Sequence, residues 1–568
     1  MIIKKTYIIL LLSFVFALSL GMMTGCDAPE KIIDKAEEEP VEEVSEETAP
    51  FFAMELDDNQ KLQPDSNMVR ILDIKTSDEL KDNRIGTLYF MSEDDHIIEP
   101  GHVCPGHRNF ARTHSEAGFK WVRLGMDHAC FDDFNLKERG KSTKLEPRQV
   151  SEITAFHEAG IDVICCLIFW DIEAGGQEWK NDWPLTPYYS RFRDEREVER
   201  YVDYVRKTVR ELKGFVAYYE LLNEPNPPRD LYVSHSSDSY LYNDLHLGNQ
   251  QTVRLPEYAS LIERVIPVIR EEDPEAKIAV GAVCDIWGID SPGVQYLLSL
   301  FKSGIMPLVD AVTIHPLYNV TPQNEDIQQY AAEVDYEPLK PEAIQAYYDV
   351  YPDLLKLIID TAAENGFEGL FIADEICYMS DSTNFTIYYP QSPLYFPEIQ
   401  AVKYYARSIL LHLGFDMKIV VAYIDPKGQI AETKETLISN LSTVMAGHET
   451  IDMPVKIEIY YDGPFAYCTF RNPDGDRMLA VWTDGVAVNE DPGVPATITF
   501  PGLKAQSVNG IDVLHGLEHE LNFSVEGDST VVRDILVKDY PSLIRLIEPQ
   551  MSEDYKESAG PGFHRAVK

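Results

Sequence analysis

The chain has 568 residues, of which 45% are hydrophobic, 11% aromatic and 25% charged, an ordinary globular composition. This length allows about two to four domains, or one large barrel with an appended module. The 50 basic and 94 acidic residues give a formal net charge of −44 that would repel phosphate backbones, which excludes nucleic acid as a partner.

The amino terminus has the pattern of an export signal. Two lysines precede an apolar run over residues 7–20, and Met23-Thr24-Gly25-Cys26 follows. This predicts a secretory signal peptide over residues 1–26 rather than a folded element. The ending resembles a bacterial lipobox, which implies a lipid attached to Cys26, although Met23 stands where leucine is usual. Signal cleavage without a lipid is the alternative.

An acidic segment follows the signal. Residues 27–50 hold ten acids, two lysines and no aromatic residue, so they cannot bury enough apolar surface to fold. The prediction is a flexible, self-repelling tether. Beyond the amino terminus no apolar stretch of about 18 residues or more occurs, so only the lipid would bind the membrane. We therefore expect an exported cell-envelope lipoprotein that faces the periplasm or the cell surface.

Between residues 85 and 446, apolar β-prone runs alternate with helical patterns. The runs are Gly86–Met91, Trp121–Asp127, Ile161–Trp170, Phe215–Leu222, Lys277–Val283, Ala311–Ile314, Leu370–Asp374 and Lys418–Tyr423. Buried strands separated by helices predict right-handed βαβ units and a parallel sheet. Eight such units predict an α/β fold of the (β/α)8 TIM-barrel type over residues 51–450. A doubly wound nucleotide-binding sheet is disfavoured, because no GxGxxG motif follows the first run.

The pattern changes after Gly447. Alternating apolar residues are interrupted by turn sequences such as Asp462-Gly463 and Asp484-Gly485, which are typical of antiparallel strands. This predicts a β-sandwich module over residues 451–550, followed by a polar tail over residues 551–568. The segment 67–74 could add a strand to the module.

Two of the barrel runs end in a glutamate. The fourth run ends in Tyr219-Glu220-Leu221-Leu222-Asn223-Glu224-Pro225, and the seventh in Phe371-Ile372-Ala373-Asp374-Glu375. Since the carboxyl ends of barrel strands form the active site, Glu224 and Glu375 should face each other across the mouth. Retaining glycosidic cleavage needs such a pair about 5 to 5.5 Å apart, one as nucleophile and one as proton donor.

With these two motifs the sequence resembles clan A of the glycoside hydrolases, the retaining barrel glycosidases with catalytic glutamates on strands four and seven. In the module, Val513-Leu514-His515-Gly516 and Tyr540-Pro541 resemble the terminal sandwich of family thirty-nine xylosidases and iduronidases. The resemblance implies Glu224 as acid/base, Glu375 as nucleophile and no cofactor. Asp374 departs from the pattern, because serine or threonine commonly precedes the nucleophile.

The resemblance also suggests roles for neighbouring polar residues. Asn223 would hydrogen-bond the sugar 2-hydroxyl, an interaction that strengthens in the transition state. Arg123 is a cation in the otherwise apolar second run, so a carboxylate partner is expected inside the barrel, either Glu375 or Glu220. A positive neighbour would keep the nucleophile ionised.

Three further residues are candidates for substrate binding. His315 and Tyr318 follow the sixth run, where the clan often has a histidine and a tyrosine. The alternative for His315 is a buried core histidine. Trp170 closes the third run, and aromatic faces either stack on sugar rings or pack loops.

No metal site is predicted. His102-x-Cys104-x-x-His107 is one short donor cluster without a second half, so a loop or helix start is favoured. A metal-dependent barrel hydrolase would need ligands at strand ends, and the first strand has no HxH motif. The sequence thus predicts a retaining glycosidase acting on polysaccharide or oligosaccharide. The alternative is a surface glycan-binding barrel without catalysis.

Overall fold

The computed structural model describes residues 69–89, 103–127, 147–169, 192, 195–226, 253–283, 286, 288–316, 341–378, 396–423 and 432–566. Cys26, Trp170 and Tyr318 lie outside these residues, as do the predicted signal peptide and the acidic tether. Within the described ranges, no helix is both long and apolar enough to cross a bilayer.

The first part of the described chain alternates strands and helices. In chain order the elements are β1 (Val69–Ile71), β2 (Ile85–Tyr89), α1 (Pro105–Glu116), β3 (Trp121–Asp127), α2 (Pro147–Glu158), β4 (Asp162–Ile168), α3 (Glu195–Leu212), β5 (Tyr218–Leu221), α4 (Leu255–Glu272), β6 (Lys277–Val283), α5 (Pro292–Phe301), a 3-10 turn (Met306–Leu308), β7 (Ala311–Ile314), α6 (Pro341–Glu364), β8 (Leu370–Ile376), α7 (Glu398–Gly414), β9 (Ile419–Tyr423) and α8 (Glu432–Met445). Strands β2 to β9 form a closed parallel barrel, so the predicted TIM barrel is confirmed.

The barrel interior changes from apolar to polar toward the carboxyl ends of the strands. Its apolar cluster contains Leu88, Ile164, Tyr218, Ala279, Ala311, Ile372, Ile419 and Val421. Residues two apart on a strand share a face, so the next inward positions after Ile164, Tyr218, Ala311 and Ile372 are Cys166, Glu220, Thr313 and Asp374. The strand period alone therefore places buried polar groups beneath the mouth.

The remaining strands form antiparallel sheets, and the predicted β-sandwich is confirmed. They are β10 (Glu449–Asp452), β11 (Lys456–Ile459), β12 (Phe465–Arg471), β13 (Arg477–Thr483), β14 (Val494–Phe500), β15 (Leu503–Lys504), β16 (Ser507–Asp512), β17 (Leu517–Glu520), β18 (Phe523–Glu526), β19 (Ser529–Val537), β20 (Ser542–Ile547), β21 (Gln550–Met551), β22 (Ser558–Ala559) and β23 (Phe563–Ala566). A nine-stranded sheet has the order β1-β17-β16-β20-β13-β12-β10-β22, with β23 beside β12, and a four-stranded sheet has the order β11-β14-β19-β18.

The larger sheet is buried on both faces. Along β13, Met478, Ala480 and Trp482 belong to the same core as the barrel helices, whereas Leu479 and Val481 face the smaller sheet. A strand covered on both sides needs apolar residues at every position, which explains the unbroken run Met478 to Trp482. This sheet therefore joins the barrel to the outer sheet of the sandwich.

Both ends of the described chain contribute strands to the larger sheet. Residues Val69–Ile71 pair with β17, within the segment 67–74 that could add a strand. Within the predicted polar tail over residues 551–568, β22 pairs with β10, and β23 pairs with β12 from Phe563–Cys468 onward. The Phe563 ring lies 5.3 Å from that of Phe415 at the end of α7, so one aromatic side chain fixes an otherwise polar segment.

Candidate active site

The two predicted glutamates converge on one histidine. Glu224 follows the fourth barrel strand, β5, and Glu375 lies near the end of the seventh, β8. His315 Nδ1 lies 3.2 Å from Glu224 Oε1 and 3.6 Å from Glu375 Oε2. The two carboxyl oxygens therefore lie on the same side of the barrel, and their separation cannot exceed the sum of these distances.

The backbone around Glu224 is held in an unusual conformation. Leu222 and Glu224 have φ values of 66° and 44°, a left-handed region that side chains other than glycine rarely adopt. The N–H of Glu224 donates to the carbonyl of Ala282 at 3.0 Å. Such conformations persist only where the surroundings over-determine them, and they cluster at functional sites.

The carbonyl of Ala282 belongs to a bulge in the neighbouring strand β6. The register with β7 shifts between Val280 and Val283, and Gly281 has a φ of +117°. A Cβ at Gly281 would lie 2.4 Å from the carbonyl oxygen of Thr313, so only glycine fits there. The bulge binds the backbone on both sides of the mouth. Ala282 O accepts the N–H of Glu224, and Val283 O accepts the N–H of His315 at 3.0 Å.

A second bulge brings two consecutive acids into the barrel. The register between β8 and β9 shifts between Ala373 and Ile376, and both of these residues belong to the helix-facing core. The intervening Asp374 and Glu375 both reach Arg123, although regular alternation would turn one of them outward. Asp374 is completely buried and Glu375 nearly so.

Arg123 is the central cation of the site. Its Nη2 lies 2.6 Å from Glu220 Oε2, its Nε 3.1 Å from Asp374 Oδ2 and its Nη1 3.3 Å from Glu375 Oε2. Nη2 also donates to Asn223 Oδ1 at 2.6 Å. Both expected carboxylate partners thus bind the guanidinium, and Asp374 is a third partner that the sequence did not indicate. Burial lowers the pKa of Arg123, but these acids outweigh it and raise the pKa well above its usual value.

His315 is fully buried, with carboxylates at both ring nitrogens. Besides the two glutamates at Nδ1, Asp374 Oδ2 lies 3.5 Å from Nε2. Burial lowers the pKa of His315, but the charges of Asp374 and Glu375 overcome this and raise the pKa well above its usual value. Its neighbours distinguish it from a neutral histidine in an apolar core.

The three buried carboxyls differ in their affinity for a proton. Burial raises the pKa of Glu220 to about 7, although Arg123 opposes the change. Burial also raises the pKa of Glu375, against the opposing charges of His315 and Arg123. For Asp374 those two cations outweigh burial and lower the pKa. The site therefore holds an ionised acid beside acids that retain protons more readily.

Asn223 offers a hydrogen-bond donor to the mouth. Its Oδ1 accepts from Arg123, whereas its Nδ2 is buried and has no partner within the described ranges. The side chain of Glu224 is 14% exposed, against 3% for Glu375. The arrangement suits a reaction that needs one enclosed carboxylate and one carboxyl in contact with solvent.

Other sequence candidates have different outcomes. Trp170, Tyr318 and the proposed lipid site Cys26 lie outside the described residues. Cys104 is the N-cap of α1, as the helix-start alternative predicts. His107 is buried, with Nδ1 2.8 Å from Ser151 Oγ.

Cys166 has a contact that its sequence context did not suggest. It lies within the apolar run Ile161–Trp170, yet its sulfur lies 3.7 Å from Arg123 Nη2. The inward face of a barrel strand was the one available signal, since Cys166 lies two residues after Ile164.

No family model matches the sequence, and no curated protein matches it. Among solved structures, a family 39 glycoside hydrolase from the gut symbiont Bacteroides cellulosilyticus WH2 is similar, with a TM-score of 0.50 and 14% identity over 82% of this chain and 80% of that one. The catalytic domain of GH30 xylanase C from Talaromyces cellulolyticus has a TM-score of 0.46 and 11% identity over 84% and 99% of the two chains. The chain has the barrel-and-sandwich fold found in clan A glycoside hydrolases.

Proposed function

We propose that this chain is a retaining glycoside hydrolase that cleaves O-glycosidic bonds of polysaccharides or oligosaccharides. The observation that carries the proposal is the convergence of Glu224 and Glu375 on His315, from the ends of the fourth and seventh barrel strands. Within clan A we propose the family thirty-nine group as the most similar, because the module motifs resemble that family and one member shares the fold.

In the first step, Glu375 attacks the anomeric carbon while Glu224 donates its proton to the leaving oxygen. A carbon–oxygen bond to the enzyme forms as the glycosidic bond breaks, and the leaving alcohol carries away the proton. Attack requires an ionised Glu375, and the neighbouring cations Arg123 and His315 oppose the effect of burial on its pKa. The two roles follow the strand positions: Glu375 on the seventh barrel strand is the nucleophile, and Glu224 after the fourth is the proton donor.

In the second step, the ionised Glu224 takes a proton from water, whose oxygen attacks the anomeric carbon and releases Glu375. Two displacements on one carbon retain its configuration. The buried Nδ2 of Asn223 would donate to the sugar 2-hydroxyl as positive charge develops on the ring. Each step uses only side chains of this chain.

The test compares Glu224→Ala with Glu375→Ala on aryl glycosides with good leaving groups. Loss of the nucleophile should abolish turnover of every substrate. Loss of the acid/base should leave the first step intact, giving a burst of aryl alcohol followed by slow turnover. Azide needs no base, so it should restore the rate of Glu224→Ala and yield a glycosyl azide of retained configuration.

Two outcomes would contradict the assignment. Azide rescue of Glu375→Ala alone, with inverted product, would show that Glu224 is not the base of the second step. Binding of glycans without turnover of any aryl glycoside or polysaccharide would favour the glycan-binding barrel instead. The substrate screen should include both polymers and short glycosides, because the loops that decide specificity differ among proteins of one fold.

We also propose that the mature protein is anchored through a lipid on Cys26, outside the described residues. The support is the sequence pattern of residues 1–26 and the acidic tether that follows. In cells, Cys26→Ser should release the protein from membranes without changing its specific activity, since the tether carries no catalytic group. Retention of the variant in the membrane fraction would contradict the anchor.

A further inference from the structure

The barrel mouth contains more acids than cations. Four carboxyl groups, on Glu220, Glu224, Asp374 and Glu375, surround the two cationic side chains of Arg123 and His315. An uncompensated charge is costly to bury, so a buried group in this position takes up a proton instead. Three of the four, Glu220, Asp374 and Glu375, are almost completely buried, so two cations leave one of these three to hold a proton.

The best candidate for this proton is Glu220. Glu220 Oε2 and Asp374 Oδ2 contact the same guanidinium, through Nη2 and Nε of Arg123. Glu220 Oε1 and both oxygens of Asp374 find no conventional donor among the described residues. A proton on Glu220 would supply one missing donor, and burial, to which the charge of Asp374 adds, raises the pKa of Glu220 to about 7.

Asp374 also determines the state of His315. A neutral imidazole has one N–H and one lone pair, and the lone pair would face a carboxylate whichever nitrogen carried it. Asp374 lies at Nε2 and the two glutamates at Nδ1, so only the cation presents an N–H to every neighbour. Without Asp374, Nε2 would face no acid within ion-pair distance in the described structure.

We propose that Asp374 is a positioning residue, which holds His315 as a cation between Glu224 and Glu375. The catalytic consequence rests on the proposed function: a fixed positive charge beside Glu375 favours its ionised form. Asp374 stands where the resembled families commonly have serine or threonine, so this arrangement would belong to the present chain.

Other titratable groups near Asp374 and His315 also affect the charges of these two residues. The charged or titratable side chains around them are Arg123 on β3, Cys166 on β4, Glu220 and Glu224 on and after β5, Glu375 on β8, and Tyr258 of α4 beyond Glu220. Of these, Arg123 is the other cation, and it contacts the same oxygen of Asp374, Oδ2, as His315. Removal of Asp374 should therefore affect both cations, but only the imidazole can lose its proton near neutral pH.

The test measures the protonation of His315 directly, by NMR of the full chain with isotope-labelled histidine. The sequence has 14 histidines, and His315→Gln identifies the resonance that disappears. In the wild type His315 should remain a cation at pH 7. In Asp374→Asn its pKa should fall by about 1 to 3 pH units, the effect of removing an opposite charge at this distance. Glu220→Gln should leave it unchanged below pH 7, because Glu220 is already neutral there.

The matched control is a similar pair in the module. Asp512 is fully buried and its Oδ2 lies 2.7 Å from His515 Nδ1, and this hydrogen bond raises the pKa of His515. Asp512→Asn should lower the pKa of His515 and leave His315 unchanged. The control separates a local loss of charge from general loosening of the fold.

Three results would overturn the proposal: a neutral His315 at pH 7 in the wild type, an unchanged His315 in Asp374→Asn, or an equal fall in Glu220→Gln. The first result is measured on the wild type, so it could overturn the proposal even if Asp374→Asn did not fold. The pH profile of kcat/KM supplies a second readout, since the ionisation of His315 should enter it at lower pH in Asp374→Asn than in the wild type. If the NMR results are as expected but the chain has no glycosidase activity, the proposed function is wrong. The positioning role of Asp374 then remains supported.

Discussion

The protein buries two clusters of charge, and they are built differently. Where α7 meets the module, Lys403 Nζ lies 2.8 Å from Asp539 Oδ1 and donates to the carbonyl of Val488 at 2.6 Å. Arg407 Nε donates to the carbonyl of Asp539 at 2.6 Å. This interface cluster pairs its buried carboxylate with a cation, and Lys403 Nζ and Arg407 Nε also donate to backbone carbonyls. In the barrel mouth, by contrast, four carboxyls share two cations.

The difference separates a structural role from a chemical one. The interface cluster holds α7 against the module through an ion pair and hydrogen bonds to backbone carbonyls. A surplus of buried acids must hold protons, and small changes in the surroundings move their pKa values. Both clusters are nearly inaccessible to water, so charge balance rather than burial distinguishes them.

The largest expected effect separates the clusters by activity. Glu375→Gln should reduce kcat/KM by about 10⁴-fold or more, because the nucleophile is lost. The free energy of unfolding should not fall, since the change removes a carboxyl that is costly to bury. Steady-state kinetics and denaturant unfolding on the same preparation would show both. A large loss of stability with only a small loss of activity would show that Glu375 has a structural role instead of a chemical one.

The interface cluster should show the reverse behaviour. Asp539→Asn leaves the buried ammonium of Lys403 without its partner, which should cost about 3–5 kcal/mol of unfolding free energy. In the fraction that remains folded, kcat and KM should equal those of the wild type. Urea unfolding gives the stability, and titration of active sites gives the folded fraction. A changed pH profile in this variant would show that the interface influences the chemistry.

A smaller effect concerns Glu220, the neutral acid of the mouth. Its pKa of about 7 in the folded protein exceeds its usual value of 4.5, so between these pH values the folded chain holds a proton that the unfolded chain has released. Stability should therefore fall as the pH rises from 4.5 to 7. Glutamine does not titrate, so the stability of Glu220→Gln should lack this pH dependence. Its free energy of unfolding should exceed that of the wild type by up to about 3 kcal/mol at pH 7. Parallel stability curves for both proteins over this range would refute a protonated Glu220.

Much of the fold follows from local patterns. The eight barrel runs and the change in the apolar pattern after Gly447 can be recognised in the sequence, because buried parallel strands and antiparallel hairpins have different periodicities. The same pattern places Glu224 and Glu375 at strand ends, and it places Arg123 where it needs an acid. The polarity of residues 558–566 gave no sign of strand pairing, because that pairing depends on the distant partners β10 and β12 and on the single ring of Phe563.

The arrangement inside the mouth depends on backbone irregularities that the sequence conceals. Regular alternation allows either Asp374 or Glu375 to face inward, and only the bulge in β8 brings both to Arg123. The left-handed conformation of Glu224 likewise depends on the bulge in β6, whose carbonyl receives its N–H. Two adjacent acids at a strand end were the available signal for Asp374, but a bulge arises from tertiary contacts and not from local propensity.

The most direct test of the central claim is to trap the covalent intermediate. An activated 2-deoxy-2-fluoro derivative of the best aryl glycoside slows both steps, and a good leaving group allows the glycosyl-enzyme to accumulate. Fragmentation of the labelled peptide by tandem mass spectrometry should place the sugar on Glu375, with release of one equivalent of aryl alcohol and reactivation by azide. A label on Asp374 or Glu224, or hydrolysis of the parent glycoside with inverted configuration, would contradict the assignment of Glu375 as the nucleophile.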